Sequence, residues 1–190
     1  MMNQSEPKFI GKRIRVLREK EAIQIEINQK IERWQEAMLF IWITAWTFCG
    51  GAFLYYAFNA SNQSEQIFFI ISSSLWLFFF VRITKVFLWR LIGKEIIRIS
   101  REGISIQNAF GTFGKKELFQ HHNIFKAGLI KRDPTSFLAF LDDSFWIIGG
   151  ERVGFSYSGR RVQLGKQLSV HDAELLLRVM DSAMREYKKG

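Results

Sequence analysis

Hydrophobic and polar positions change their period along this chain, and each change marks a different kind of element. From Arg13 to Asn28, "RIRVLREKEAIQIEIN", they alternate, with Ile23, Ile25 and Ile27 falling on one face. A period of two belongs to a half-buried strand, so this stretch predicts a β hairpin, and its apolar face calls for cover from elements that follow. From Ala37 to Phe58 the alternation gives way to 22 residues without a charge. As a helix these would run about 33 Å, enough to cross a hydrocarbon layer of about 30 Å. The segment from Ile67 to Val81 is also uncharged, but alone it would cover only about 22 Å as a helix, so a second span must continue through Arg82 and Lys85 to Trp89. Those two cations can reach headgroups from the last turns while their stems stay in the apolar layer. The competing reading is a buried helical hairpin. Against it, Trp76, Phe78, Phe79 and Phe80 project all round a helix, and 190 residues leave little mass to bury them.

Beyond Lys94 the short period returns. "KEIIRIS" and "ISIQNAF" flank the turn at Arg101, Glu102 and Gly103, and "KKELFQ" follows after Gly111 and Gly114. Further strands are predicted at Ile124 to Ile130, Phe137 to Leu141, Phe145 to Ile148, Val153 to Tyr157 and Arg161 to Leu164. Turn residues every eight to twelve positions indicate an antiparallel sheet or small barrel. The last element is a helix. Ser169 is placed to cap it, Asp172 stands three residues on, and Ala173, Leu176, Leu177, Met180, Ala183 and Met184 recur at helical spacing. Its polar side mixes both signs, which suits closing a β domain better than lying on an anionic membrane surface.

Composition sharpens the membrane reading. Mean hydropathy is near zero, yet 19 phenylalanines and six tryptophans concentrate between Phe40 and Trp89. The average therefore hides two unlike parts. The single cysteine, Cys49, excludes an intramolecular disulfide and a cysteine-based metal site. Basic residues flank the two spans on one side only: Lys30 and Arg33 precede the first, and Arg82, Lys85, Arg90, Lys94 and Arg98 end or follow the second. The loop Asn59 to Gln66 has none, so the charge bias puts both termini in the cytoplasm and the loop outside. The two spans are expected to pack where Gly50 and Gly51 meet Ser72, Ser73 and Ser74 at similar depth.

The domain organisation expected is a cytoplasmic N-terminal segment with a hairpin (1–36), a first span (37–58), an outer loop (59–66), a second span (67–89) and a cytoplasmic domain (93–190). That order, with "LIGKEIIRISREGISIQ" and "ERVGFSYSGRRVQLGKQLSVHDAELLLRVM", resembles small bacterial two-span membrane proteins with a pleckstrin-homology-like cytoplasmic domain. The resemblance implies an α+β membrane protein of the bacterial inner membrane: a two-helix hairpin plus an antiparallel β sandwich or partly open barrel capped by the C-terminal helix. It implies binding rather than catalysis.

Candidate chemistry is sparse. His121, His122 and His171 with Asp142 and Asp143 could be metal ligands, but adjacent strand residues point to opposite faces, and no metal or cofactor is expected. The glycine pairs lead into no phosphate loop, and no nucleophile elbow or catalytic residue is singled out. Basic residues are more informative. The formal charge is +9, and Lys94 to Lys189 contributes sixteen basic against eleven acidic residues, or +5. The pairs Lys115-Lys116, Lys131-Arg132 and Arg160-Arg161 fall at predicted strand ends and loops, as candidate contacts to carboxylates or lipid phosphates. Dispersed charge without a recognition motif argues against nucleic acid. The expected role is a membrane-anchored interaction module: an adaptor, accessory subunit or assembly factor of a membrane complex, with homo-oligomers allowed. The alternatives are a regulator binding anionic lipid headgroups through the basic loops, or an enzyme whose site carries no recognised motif.

Overall fold

The computed structural model describes residues 7–11, 13–29, 32–111, 113–130 and 148–188. The predicted strands at Phe137 to Leu141 and Phe145 to Ile148 therefore lie outside the described residues, apart from Ile148. The chain divides into two compact units, a helical one from Ile31 to Arg90 and a mainly β one made of Met1–Lys30 and Leu91–Gly190.

In the β unit, β1 (Lys8–Ile10), β2 (Ile14–Arg18), β3 (Ala22–Asn28), β4 (Gly93–Ser100), β5 (Gly103–Phe110) and β6 (Phe113–Phe119) form one six-stranded antiparallel sheet in chain order. The N-terminal strands are thus part of the same sheet as the later ones. Ile25 stands opposite Ile97, and Ile23 opposite Ile99. A second sheet has three strands, β7 (Ile124–Leu129), β8 (Glu151–Tyr157) and β9 (Arg160–Lys166). The C-terminal helix α3 (Val170–Lys188) starts where Ser169 Oγ accepts the Asp172 N–H at 3.0 Å, which satisfies one of the orphan donors of the first turn. Ala173, Leu176, Met180 and Ala183 of α3 are fully buried. They join the isoleucines of the large sheet and Val153, Phe155 and Leu164 of the small one in a single core. Phe119 makes edge contacts with Phe155 and Tyr157 at ring separations of 5.5 and 5.1 Å.

The expectation of a pleckstrin-homology-like sandwich or barrel is corrected here, because the described residues form two open antiparallel sheets and no closed one. After Phe119 a 3-10 turn at His121–Asn123 redirects the chain, and His121 Nε2 lies 2.7 Å from the Ser100 carbonyl. β7 then pairs with β8 and not with β6, so the hydrogen-bond ladder is interrupted at that corner. Strand spacing gives the number of strands; it does not say which edges meet.

The helical unit contains α1 (Arg33–Asn59) and the greater part of α2 (Gln63–Ile92), joined by a three-residue connection in which Asn62 Oδ1 accepts the Glu65 N–H at 2.8 Å. Both helices are long and apolar enough to cross a membrane. Each outruns its uncharged stretch, because charge marks the limit of an apolar layer and not the end of a helix. Their large apolar side chains point outward, Phe48 with 76% and Phe58 with 83% of its surface exposed. Three hydroxyls on these helices are satisfied internally, Thr44, Thr47 and Ser74 each donating to the carbonyl four residues back at 2.8–2.9 Å, whereas the buried hydroxyls of Ser73 and Thr84 find no partner among the described residues. The expected meeting of glycines with serines is only partly found. Gly50 faces the indole of Trp76, with no room for a Cβ, whereas Gly51 has open space. Trp76 Nε1 donates to the Trp46 carbonyl at 2.8 Å, and Trp46 Nε1 to the Trp76 carbonyl at 3.5 Å. The helix contact is therefore built on a glycine and two tryptophans.

Candidate functional site: a cationic cleft on the small sheet

The alternation of β7 breaks between Phe125 and Gly128, where the register with β8 shifts by a bulge. Within it Lys126 adopts φ of 48°, in the left-handed region, the kind of local strain that re-aims a side chain. Beyond the bulge Gly128 stands directly opposite Gly154. Two facing positions without side chains leave a recess in the sheet surface. The resulting cleft holds about 340 Å³ and is lined by Lys126, Leu129, Ile130, Phe155, Ser156 and Arg161 together with the two glycines. Arg161 reaches it because β9 sets this residue opposite Ser156, on the face that Gly154 also occupies. Among the described residues neither Lys126 nor Arg161 makes a salt bridge. Two cations beside an apolar recess suit an anionic group carried on an apolar body, a carboxylate or phosphate that Arg161 can grip with two parallel N–H donors.

Of the basic pairs singled out in the sequence, the two within the described residues have their members set apart. Arg160 stands opposite Tyr157 and Arg161 opposite Ser156, so consecutive positions send the two arginines to opposite faces. Lys115 lines a groove of about 200 Å³ with Asn108 and Gln163, and it pairs with Glu117 at 3.3 Å. Lys116 lines a different groove, about 410 Å³, shared with Arg98, Arg101 and Glu102. Lys131 and Arg132 lie outside the described residues. Sequence reasoning missed Lys126, because nothing in "NIFKAGLIK" announces a bulge except the glycine two residues later.

A second polar cluster joins the two sheets. Glu95 lies on the core face of β4, in register with Ile27 and Asn108, and only 1% of its surface is exposed. Its Oε2 accepts the backbone N–H groups of Gly165 at 2.9 Å and Lys166 at 3.2 Å, from the end of β9. Lys166 Nζ in turn donates to Asn108 Oδ1 at 3.0 Å. Gly165 is required here: its φ is 73°, and a Cβ would crowd Leu168 and Leu176. Burial pushes the Glu95 carboxyl above its ordinary range, against the opposing pull of Lys166 and the two N–H bonds. Nearby, Arg13 donates to the Asn28 carbonyl at 2.8 Å, the Gln167 carbonyl at 2.9 Å and Gln29 Oε1 at 3.0 Å. Burial lowers the Arg13 pKa, while Asp172 and Glu95 favour its charged form. These groups fasten the end of β9 to β4 and to the N-terminal strands.

His121 and His122 sit in the 3-10 turn and His171 in the first turn of α3. Among the described residues no three histidine, cysteine or acidic side chains converge as metal ligands would. No family model matches the chain, and neither a curated protein nor a solved structure is detectably similar to it.

Proposed function

We propose that this chain is a membrane-anchored interaction module whose β unit binds an acidic segment of a partner protein in the cleft between Lys126 and Arg161. The observation that carries the anchor is the outward apolar surface of α1 and α2, which needs a hydrocarbon solvent. The spacing of the aromatic residues supports it. Trp34 and Tyr56 are both more than half exposed. They are separated by 22 residues, about 33 Å along a helix, close to the distance between the two interfaces of a bilayer where Trp and Tyr are favoured. Pairing of β3 with β4 supports the topology. Asn28 and Lys94 are partners in the ladder, so the segments entering α1 and leaving α2 belong to one folded sheet and lie on one side of the membrane. The distribution of lysine and arginine favours the cytoplasm for that side, and the inner membrane of a bacterium is what the sequence resemblance adds. The two-span part of the sequence resemblance is kept in this proposal; its β architecture is not.

Binding through the cleft is tested by recovering partners in mild detergent. Lys126→Glu with Arg161→Glu should leave membrane insertion intact and abolish recovery, and in the unaltered protein recovery should weaken as salt is raised. Arg160→Glu, on the opposite face of the same strand, should have little effect. Equal loss in both variants, or undiminished recovery in the double variant, would reject the cleft as the site.

A further inference from the structure

We propose that the start of β6 is a second membrane contact, with Phe113 inserted at the headgroup boundary of the bilayer that holds α1 and α2. This rests on the membrane reading above. Phe113 is 83% exposed, an extreme value for an aromatic ring at the start of a well-paired strand. Its place in the ladder gives the reason. Phe113 stands opposite Phe110, and Phe110 opposite Gly93. Gly93 is the residue immediately after α2, and the Gly111 N–H donates to the carbonyl of Ile92, the last residue of that helix, at 3.3 Å. Strands lie about 4.8 Å apart, so Phe113 sits only about 10 Å from the point where the chain leaves α2.

The length of α2 sets the depth of that point. Counted from Ile67, about 20 residues cross the hydrocarbon layer, which puts Arg90 to Ile92 among the headgroups. The strand register thus holds Phe113 at the same end of the sheet as a chain segment already in the interface. Its neighbours suit that layer. Lys94 is exposed one residue beyond Gly93, and Lys115, two residues after Phe113 on the same face, is 86% exposed along its side chain. An aromatic ring with one lysine on its own face, Lys115, and another on the opposite face of the sheet, Lys94, is a side-chain mixture that interfaces favour, the ring at the acyl boundary and the cations at phosphates. A protein partner would require its own surface to reach this layer; lipid is already there.

The test uses the full chain with Cys49→Ser and a single new cysteine, labelled with an environment-sensitive fluorophore and reconstituted in phosphatidylcholine vesicles with phosphatidylglycerol. Nitroxide-bearing lipids then report contact. Label at Phe113→Cys should emit at shorter wavelength and be quenched at least about twofold more than label at Ser158→Cys, in the β8–β9 turn at the far end of the small sheet. Label on the native Cys49, exposed midway along α1, is the reference. Quenching at Cys49 with none above the Ser158 level at Phe113 overturns the second contact and leaves the spans standing. No quenching at Cys49 overturns both.

Discussion

Replacing Glu95 separates the two roles its carboxylate combines. Glu95→Ala removes the acceptor of two backbone N–H groups at the end of β9, that of Gly165, in a fully buried residue, and that of Lys166, which is half-buried. A buried donor left without a partner costs about 1–3 kcal/mol, so the pair, with partial access of water to the second, should cost about 2–4 kcal/mol. Removing the carboxyl also relieves its desolvation, an effect of opposite sign. Glu95→Gln resolves the conflict, since it removes the charge while keeping an oxygen where the N–H groups need it. We expect Glu95→Gln to lie within about 1 kcal/mol of the native protein and Glu95→Ala to be at least about 2 kcal/mol less stable than Glu95→Gln. Pulse proteolysis across a urea series, in detergent and with detection of the C-terminal fragment, reads the unfolding midpoint of the β unit without interference from the helices. Equal midpoints for the alanine and glutamine variants would show that the two N–H bonds do not hold the sheets together.

Two further outcomes follow from the same structure. Because burial raises the folded-state pKa of Glu95 above its unfolded value, the folded state binds more protons in the interval between the two. Stability should therefore fall as pH rises from the ordinary carboxylate range through the raised value and change no further above it, a component absent from Glu95→Gln when midpoints are compared over about pH 4–8. In the helical unit, Gly50→Leu sets a side chain where the Trp76 indole lies and should separate the helices. Crosslinking between cysteines placed at Tyr56 and Phe69, whose rings stack at 5.2 Å across the two helices, in a Cys49→Ser background that keeps both tryptophans, should form readily with Gly50 and be lost with Leu, whereas Gly51→Leu, with open space around it, should leave it unchanged.

How far the sequence revealed these features depends on whether the cause was local. The alternation of β2 to β5 was legible because half-buried strands must alternate, and the C-terminal helix because its cap and apolar stripe are written in consecutive residues. Glu95 was also legible in principle: in "KEIIRIS" it shares the parity of Ile97 and Ile99, so an acidic residue is set on the apolar face. The open sheets were not legible, because the failure of β6 and β7 to pair is settled at the His121–Asn123 turn and by long-range packing against α3. Nor was the separation of Arg160 from Arg161 given weight, although a strand of period two requires it. The cleft depends on Gly128 meeting Gly154, a pairing between residues 26 positions apart whose register is set by a bulge.

The central claim, that the β unit and both termini lie on one side of a membrane crossed by α1 and α2, is tested most directly by single cysteines in a Cys49→Ser background. With a membrane-impermeant maleimide on intact cells, a cysteine at Asn62, between the helices, should be labelled. A cysteine at Ser158, exposed in the β8–β9 turn, should be labelled only after permeabilisation. Labelling of both positions in intact cells, or of Ser158 alone, would contradict the account.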